Sequence, residues 1–129
     1  MFSYIDKVDK KLNRTHRNYF ITQGDTFTLT ANPQFEVVGE QSAIAKFLFK
    51  LGFPHSECNI ESLFEKDYEF DEDSGLYILK GLSSETELWV ATCEREETPY
   101  IYEIEVHYTD GNVETLEKAE FTVESQIKG

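Results

Sequence analysis

The chain has 129 residues, enough for one domain with at most a short appendage. Its 12 lysines and arginines against 25 aspartates and glutamates give a formal net charge of −13, which argues against a nucleic-acid binder and against a domain that adheres to anionic membranes. Aromatic residues make up 14% of the chain, and because disordered acidic proteins are poor in them, we expect a folded domain.

The N-terminal residues differ in charge from the rest. Residues 1–17 hold five basic side chains against two aspartates, a net charge of +3, which leaves −16 for residues 18–129. We therefore divide the chain into a basic N-terminal arm, residues 1–17, and a β-sandwich domain, residues 18–129. The arm either docks on the acidic body of a neighbouring subunit or packs on its own domain, and its apolar residues would form one stripe if it were helical. The candidate docking residues of the arm are Lys7, Lys10, Lys11, Arg14 and Arg17.

Strand patterns begin after the arm. Alternating threonine and apolar residues over 26–30 predict a strand, which Asn32-Pro33 should end. The apolar run at 43–51 favours a strand with Ala45, Phe47 and Phe49 inward and lysines outward, although its spacing also fits a short helix. We expect Gly52-Phe53-Pro54 to close this run.

The second half of the chain reads as hairpins. Residues 64–80 predict a hairpin with an acidic turn at 71–75, and Ser83 is a candidate N-cap of a short helix or 3₁₀ turn. Residues 100–108 and 113–123 predict a second hairpin around an Asp-Gly turn, with its tyrosines in the core. Many short strands at regular spacing predict an all-β sandwich.

Four glutamates of the last hairpin are predicted to lie along one face of the sheet. Such a face must be solvated or must meet a basic partner, so it is a candidate acidic docking face. Its residues are Glu103, Glu105, Glu114 and Glu117.

Residues that could carry chemistry are few, and we expect no catalysis, no cofactor and no metal. His55, Cys58 and Cys93 could offer three zinc ligands, but no second pair at metal-site spacing exists. A calcium site at Asp71 and Asp73 is possible, but a plain acidic turn explains these residues as well. The two cysteines could form one bridge or remain reduced thiols.

Two further features concern setting and binding. The first residues lack the basic and apolar regions of a secretory signal, and no apolar run is long enough for a membrane span, so we expect a protein made in the cytosol. Trp89, the only tryptophan, is a core anchor or an exposed platform for a sugar or protein partner.

A family resemblance rests on the strand and turn residues at both ends of the domain. Residues 23–27, Gln-Gly-Asp-Thr-Phe, open it after a short leader, and residues 100–104, Tyr-Ile-Tyr-Glu-Ile, lead into Asp110-Gly111 and close with 121–123, Phe-Thr-Val. This pattern is similar to small immunoglobulin-like domains of tailed-bacteriophage and prophage virion proteins, such as the N-terminal domain of siphophage upper baseplate proteins. The sequence departs from that family in the loop at 52–55 and over residues 92–98.

The resemblance implies an immunoglobulin-like antiparallel β-sandwich without catalysis or cofactor. It implies a structural or assembly module of the tail, neck or baseplate, whose partners are other virion proteins or further copies of itself. Such a protein is made in the bacterial cytoplasm and, if phage-derived, is associated with the virion. No nucleic acid, membrane or small-molecule substrate is expected as a partner. The alternative from a different class is a carbohydrate- or protein-binding β-sandwich on a bacterial surface.

Overall fold

The computed structural model describes residues 2–9, 14–36, 43–56, 59–89 and 97–125. Strands dominate these residues, and the two helices have four residues each, so no described helix is long enough to cross a membrane. The elements in chain order are β1 (Ser3–Asp9), β2 (Arg14–Thr22), β3 (Phe27–Ala31), α1 (Pro33–Glu36), β4 (Ile44–Ser56), β5 (Asn59–Asp67), β6 (Glu69–Asp71), β7 (Leu76–Gly81), α2 (Ser83–Thr86), β8 (Glu97–Tyr108) and β9 (Val113–Glu124).

The strands form two sheets, which confirms the predicted all-β class. The larger sheet has the order β1-β2-β9-β8-β4-β5, and the smaller has the order β3-β7-β6. Neighbouring strands are antiparallel except β2 and β9, which are parallel from Tyr19 opposite Phe121 to Thr22 opposite Glu124. Apolar side chains of both sheets meet in one core, as expected for two packed layers.

The N-terminal arm is part of the larger sheet. Residues 3–9 form the edge strand β1, paired antiparallel with β2, so the helical interpretation of the arm is wrong. These residues form a strand because alternate side chains of residues 2–6 point to one face. On that face Phe2 stacks on the core residue Tyr19, and Tyr4 lies opposite Tyr19 in the β1–β2 pair. Strand β2 runs without a break across the predicted boundary between residues 17 and 18.

An aromatic cluster fills the middle of the core. The Phe27 ring lies 5.5 Å from Phe121 and 5.6 Å from Trp89, and Phe64 closes on Trp89 at 5.2 Å. Trp89 is only 1% exposed, which confirms its interpretation as a core anchor. The tyrosines of β8 also face inward as predicted, with Tyr102 fully buried.

Strand β4 follows the predicted strand pattern but is longer than predicted. Phe47 and Phe49 are fully buried, so the strand interpretation is confirmed and the helical alternative is wrong. Gly52-Phe53-Pro54 does not end the strand, which continues to Ser56. A side chain at position 52 would collide with Ile60, 2.5 Å from the added Cβ, so glycine lets β5 pass closely there. Ala45 is exposed rather than inward because the register shifts between Ile44 and Lys46.

The predicted hairpins are observed with different boundaries. The C-terminal hairpin is confirmed, with Gly111 at φ +92° in its turn. The predicted hairpin at 64–80 is confirmed only from residue 69 onward, because β5 pairs with β4 in the other sheet. Helix α2 begins after Leu82 rather than with Ser83 as its cap, and the Leu82 N–H donates to the Glu85 carboxylate over 3.0 Å.

Candidate functional site

The four glutamates of the predicted acidic face lie on two opposite faces of the larger sheet. Glu103 is opposite Lys118 on the outer face, whereas Glu117 is opposite the buried Ile104 on the inner face. A bulge between Ile104 and Glu105 places one extra residue in β9. Because one extra residue reverses the alternation, Glu114 lies opposite the buried Val106 instead of facing outward. The prediction of a single four-glutamate face is therefore wrong.

The outward glutamates are matched by basic side chains of the same sheet. Lys118 Nζ lies 3.1 Å from Glu103, and Lys50 Nζ lies 3.2 Å from Glu105, which also contacts His107 Nε2 at 3.1 Å. Cross-strand pairs of this kind stabilise a sheet locally, and they leave little unbalanced charge for a partner. Glu103 and Glu105 are thus paired with basic side chains of their own sheet.

The inward Glu117 joins the N-terminal strands to the core. Its Oε1 accepts a hydrogen bond from the Arg17 backbone N–H at 2.9 Å and lies 2.7 Å from the Tyr102 hydroxyl. The same hydroxyl lies within hydrogen-bond distance of the Arg17 carbonyl oxygen. Burial and the negative charge of Glu117 raise the pKa of Tyr102, so this phenol remains protonated and can donate.

Only part of the predicted basic arm can be placed. Lys7 is a residue of β1 and Arg14 of β2, whereas Lys10 and Lys11 lie outside the described residues. Arg17 is a residue of β2, and its guanidinium lies 4.4 Å from the centre of the Tyr4 ring. It also lies 3.7 Å from Asp6, an exposed ion pair. Arg17 is thus engaged by its own N-terminal strand pair.

The inner face of β1 and β2 extends beyond the cover of the smaller sheet. We call this surface, formed by Tyr4, Asp6, Val8, Arg17 and Tyr19, the ledge. Its residues share one face because Tyr4 is opposite Tyr19 and Asp6 is opposite Arg17. Tyr4 is 50% exposed and Val8 is 65% exposed. The ledge therefore presents two exposed apolar side chains, Tyr4 and Val8, beside the exposed Asp6–Arg17 pair, whereas Tyr19 is buried in the core.

A groove of about 390 Å³ separates the ledge from strand β3. Leu29, Thr30 and Ala31 of β3 line one side, and ledge residues with Glu117 line the other. We call this cavity the ledge groove. Its lining is more polar than apolar, and it includes the charged residues Asp6, Arg17 and Glu117. Sequence reasoning missed it, although the period-two spacing of Phe2, Tyr4 and Asp6 was a signal for β1.

The other candidate sites give no reactive cluster. Among the residues that the structure describes, no three histidine, cysteine or acidic side chains lie close enough to hold a metal ion. The Asp71 carboxylate accepts hydrogen bonds from the Ser74 hydroxyl at 2.7 Å and from the Asp73 N–H at 3.3 Å, as in an ordinary turn. Of the candidate zinc ligands, Cys58 and Cys93 lie outside the described residues. Their bridging stays an open prediction.

Comparison with known proteins adds no family. Neither a protein-family model nor a curated protein matches the chain.

Proposed function

We propose that this protein is a non-enzymatic assembly module of a phage or prophage virion, acting through contacts with other proteins. The observation that carries the proposal is the exposed apolar surface of the N-terminal strand. Tyr4 and Val8, which share one face of β1, are 50% and 65% exposed, and Asp6 between them lines the ledge groove. Apolar side chains grouped on one exposed strand mark interaction surfaces more than isolated ones do.

The order of the strands supports the immunoglobulin-like part of the proposal. In immunoglobulin sandwiches strands A, B, E and D form one sheet, and strands C, F and G form the other. Here the smaller sheet has the order β3-β7-β6, which corresponds to strands B, E and D. In the larger sheet the adjacent strands β4, β8 and β9 correspond to C, F and G, with β5 as an added strand and with β1 and β2 beside β9. One departure is that Trp89 follows α2 instead of lying on the third core strand.

The chemistry of the ledge groove supports binding rather than catalysis. Burial, with the charge of Glu117 as a smaller contribution, raises the pKa of Tyr19 to about 12, so the phenol is neutral and a poor base at pH 7. Arg17 is paired with Asp6, and Glu117 accepts its hydrogen bonds from Tyr102 and from the backbone. These groups hold one another in place and are suited to orient a bound surface.

The alternative, a carbohydrate- or protein-binding module on a bacterial surface, loses its expected platform. It required an exposed aromatic pair with polar neighbours, and Trp89 was the candidate platform. Trp89 is 1% exposed and is enclosed by Phe27, Phe64 and Phe121. Addition of oligosaccharides should therefore leave its fluorescence unchanged, and quenching of that fluorescence would favour the alternative.

The experiment that tests the proposed function is mass spectrometry of phage particles from a host strain carrying the gene. We expect the wild-type chain to be present in purified particles. We expect the double variant Tyr4→Ser with Val8→Ser to fold but to be depleted from them, because both changes remove exposed apolar surface. The matched control is Leu88→Ser, which alters an equally apolar side chain, 72% exposed, at a turn away from β1. Absence of the wild-type chain from particles would refute the proposal.

A further inference from the structure

The four sheet edges of the described residues differ in how they are protected against added strands. Strand β1 carries Asp6, Lys7 and Asp9, and β6 has only three residues, two of them acidic. Strand β5 carries four charged residues and two register shifts against β4. Charges, short length and bulges are the devices by which natural sheets discourage edge-to-edge pairing.

Strand β3 has none of these devices. Its sequence Phe-Thr-Leu-Thr-Ala is uncharged and pairs with β7 in continuous register from Phe27 opposite Gly81 to Ala31 opposite Tyr77. Among the described residues, no strand adjoins its other side and no backbone hydrogen bond of residues 27–31 leaves the β3–β7 ladder. Thr28 and Thr30 are exposed, and threonine favours extended backbone. This edge is a template for another strand.

The ledge groove lies along this same edge. Phe2 closes the edge at one end, with its ring 5.2 Å from Phe27. From Leu29 to Ala31 the edge borders the groove instead. A strand added there would bond to β3 through its backbone and would place alternate side chains over Tyr19 and Glu117 of the larger sheet. The uncharged edge and the adjacent cavity are independent observations, and both point to an extended peptide segment as the ligand.

The charged side chains that line the groove favour a basic extended segment over an acidic one. Asp6 and Glu117 both line it, and Arg17, its basic residue, pairs with Asp6. No lysine or arginine side chain in the described part of the chain forms an ion pair with Glu117, whose hydrogen bonds come from a phenol and a backbone N–H. A segment that brings a cation to Glu117 gains a charge-assisted hydrogen bond. An acidic segment would instead face the negative charge of the Glu117 carboxylate.

We propose that the ledge groove accepts an extended segment of a partner protein, which adds as a strand to the free edge of β3 and places a lysine or arginine against Glu117. This mode of recognition takes affinity from the backbone and specificity from alternate side chains. It deepens the proposed assembly function by assigning the partner's chemistry and the surface that receives it.

The test uses the isolated full-length protein and a panel of blocked pentapeptides Val-Thr-X-Thr-Val. The alternate residues Val, X and Val face the larger sheet when the peptide adds to β3. Binding is followed by NMR as slowed hydrogen exchange of the backbone amides of residues 27–31. We expect protection by the members with X lysine or arginine, weaker protection with X glutamate, and none with X proline, which lacks the backbone donor.

Two matched variants test the role of charge. Glu117→Gln should weaken binding of the lysine peptide about tenfold, because it removes one charge-assisted contact. Glu120→Gln makes the same chemical change at an exposed position of β9, opposite Ile101, and should leave the affinity unchanged. Equal affinity of the wild type and Glu117→Gln for the lysine peptide would overturn the proposal that a basic residue of the partner contacts Glu117.

The remaining outcomes decide the strand-addition mode. Protection of β1 or β5 amides in place of residues 27–31 would overturn it, and so would the absence of protection by every member of the panel at millimolar concentration. These results do not depend on phage particles. If the peptides fail while the chain is present in particles, the assembly function stands and this groove is not its surface.

Discussion

Replacement of Tyr102 by phenylalanine tests how the N-terminal strands are attached to the core. Backbone pairing between β2 and β9 begins only at Tyr19. Before that point side chains bridge the two strands: Glu117 accepts the Arg17 N–H, and His16 Nδ1 accepts the Lys118 N–H at 3.4 Å. The Tyr102 hydroxyl reaches across from β8 to Glu117 and to the Arg17 carbonyl oxygen. The hydroxyl has one hydrogen to share between these two acceptors, so removing it takes one donor from the pair.

The magnitude follows from the geometry of this contact. A hydrogen bond to a charged group contributes about 1.5–3 kcal/mol, and the loss is not offset by water where the acceptor is enclosed. Because Glu117 is half-buried and keeps the Arg17 N–H, we take the lower end, about 1.5 kcal/mol. For a domain of this size the melting temperature should fall by about 5 °C.

The assay is urea unfolding combined with hydrogen exchange. Tyr102→Phe should lower the free energy of unfolding and speed exchange at the Arg17 amide, whose acceptor has lost its second partner. The control Tyr4→Phe removes a hydroxyl from a half-exposed ring and should change stability by less than about 0.5 kcal/mol. In a cycle with Glu117→Ala, the coupling energy should be about 1 kcal/mol. Zero coupling, or a loss in Tyr102→Phe no larger than in the control, would refute this account of the attachment.

Three further predictions concern alkaline stability, the β3–β7 pairing and the link between the sheets. The pKa of Tyr19 is raised from 10.0 to about 12, so unfolding releases a proton between these two pH values. The free energy of unfolding should therefore fall by about 2 kcal/mol as the pH rises through this range. Urea titrations should show a shallower fall for Tyr19→Phe than for the wild type, and equal slopes would contradict this reasoning. Gly81→Ala places a Cβ 1.9 Å from the Phe27 ring and should cost about 2–3 kcal/mol in thermal unfolding, whereas a neutral result would mean that the ring moves freely. Lys66→Met removes the 2.7 Å contact to Glu85 and should cost about 1–2 kcal/mol at pH 7. Burial raises the pKa of Glu85, but hydrogen bonds from Lys66 and the Leu82 N–H outweigh it and lower the pKa overall. The charge-dependent part of the Lys66→Met loss should therefore disappear as the pH falls below that pKa, and a loss independent of pH would contradict the ion pair.

Much of the strand content was predictable because alternation acts within a single strand. Threonine and apolar residues alternate over 26–30, and the same residues alternate between exposed and buried in β3. The inward tyrosines of β8 and the Asp-Gly turn of the last hairpin follow the same local logic. The burial of Trp89 was the simplest expectation for a large aromatic side chain, and it is confirmed.

The helical interpretation of the N-terminal arm is wrong because its short sequence fits two periods. The residues Phe2, Ile5 and Val8 fit a helical period, but Phe2, Tyr4 and Asp6 fit a strand period equally well. Pairing with β2 and the stacking of Phe2 on Tyr19 decide between the two. Neither contact is visible in a window of seventeen residues, because Tyr19 owes its burial to strands from the other end of the chain.

By itself, the sequence determined that this protein is built from alternating strands with an aromatic core and an acidic, largely solvated surface. Only the tertiary structure decided which strands are neighbours, which edges are free and which glutamates share a face. The bulge opposite Ile104 shows why: one extra residue in β9 turns Glu114 from the outer to the inner face, and its position depends on pairing with a strand that the local pattern of β9 does not specify. The edge position of β3 among the described residues has the same origin, since a strand becomes an edge only when the strands that could cover it pair elsewhere, as β1 and β2 do here.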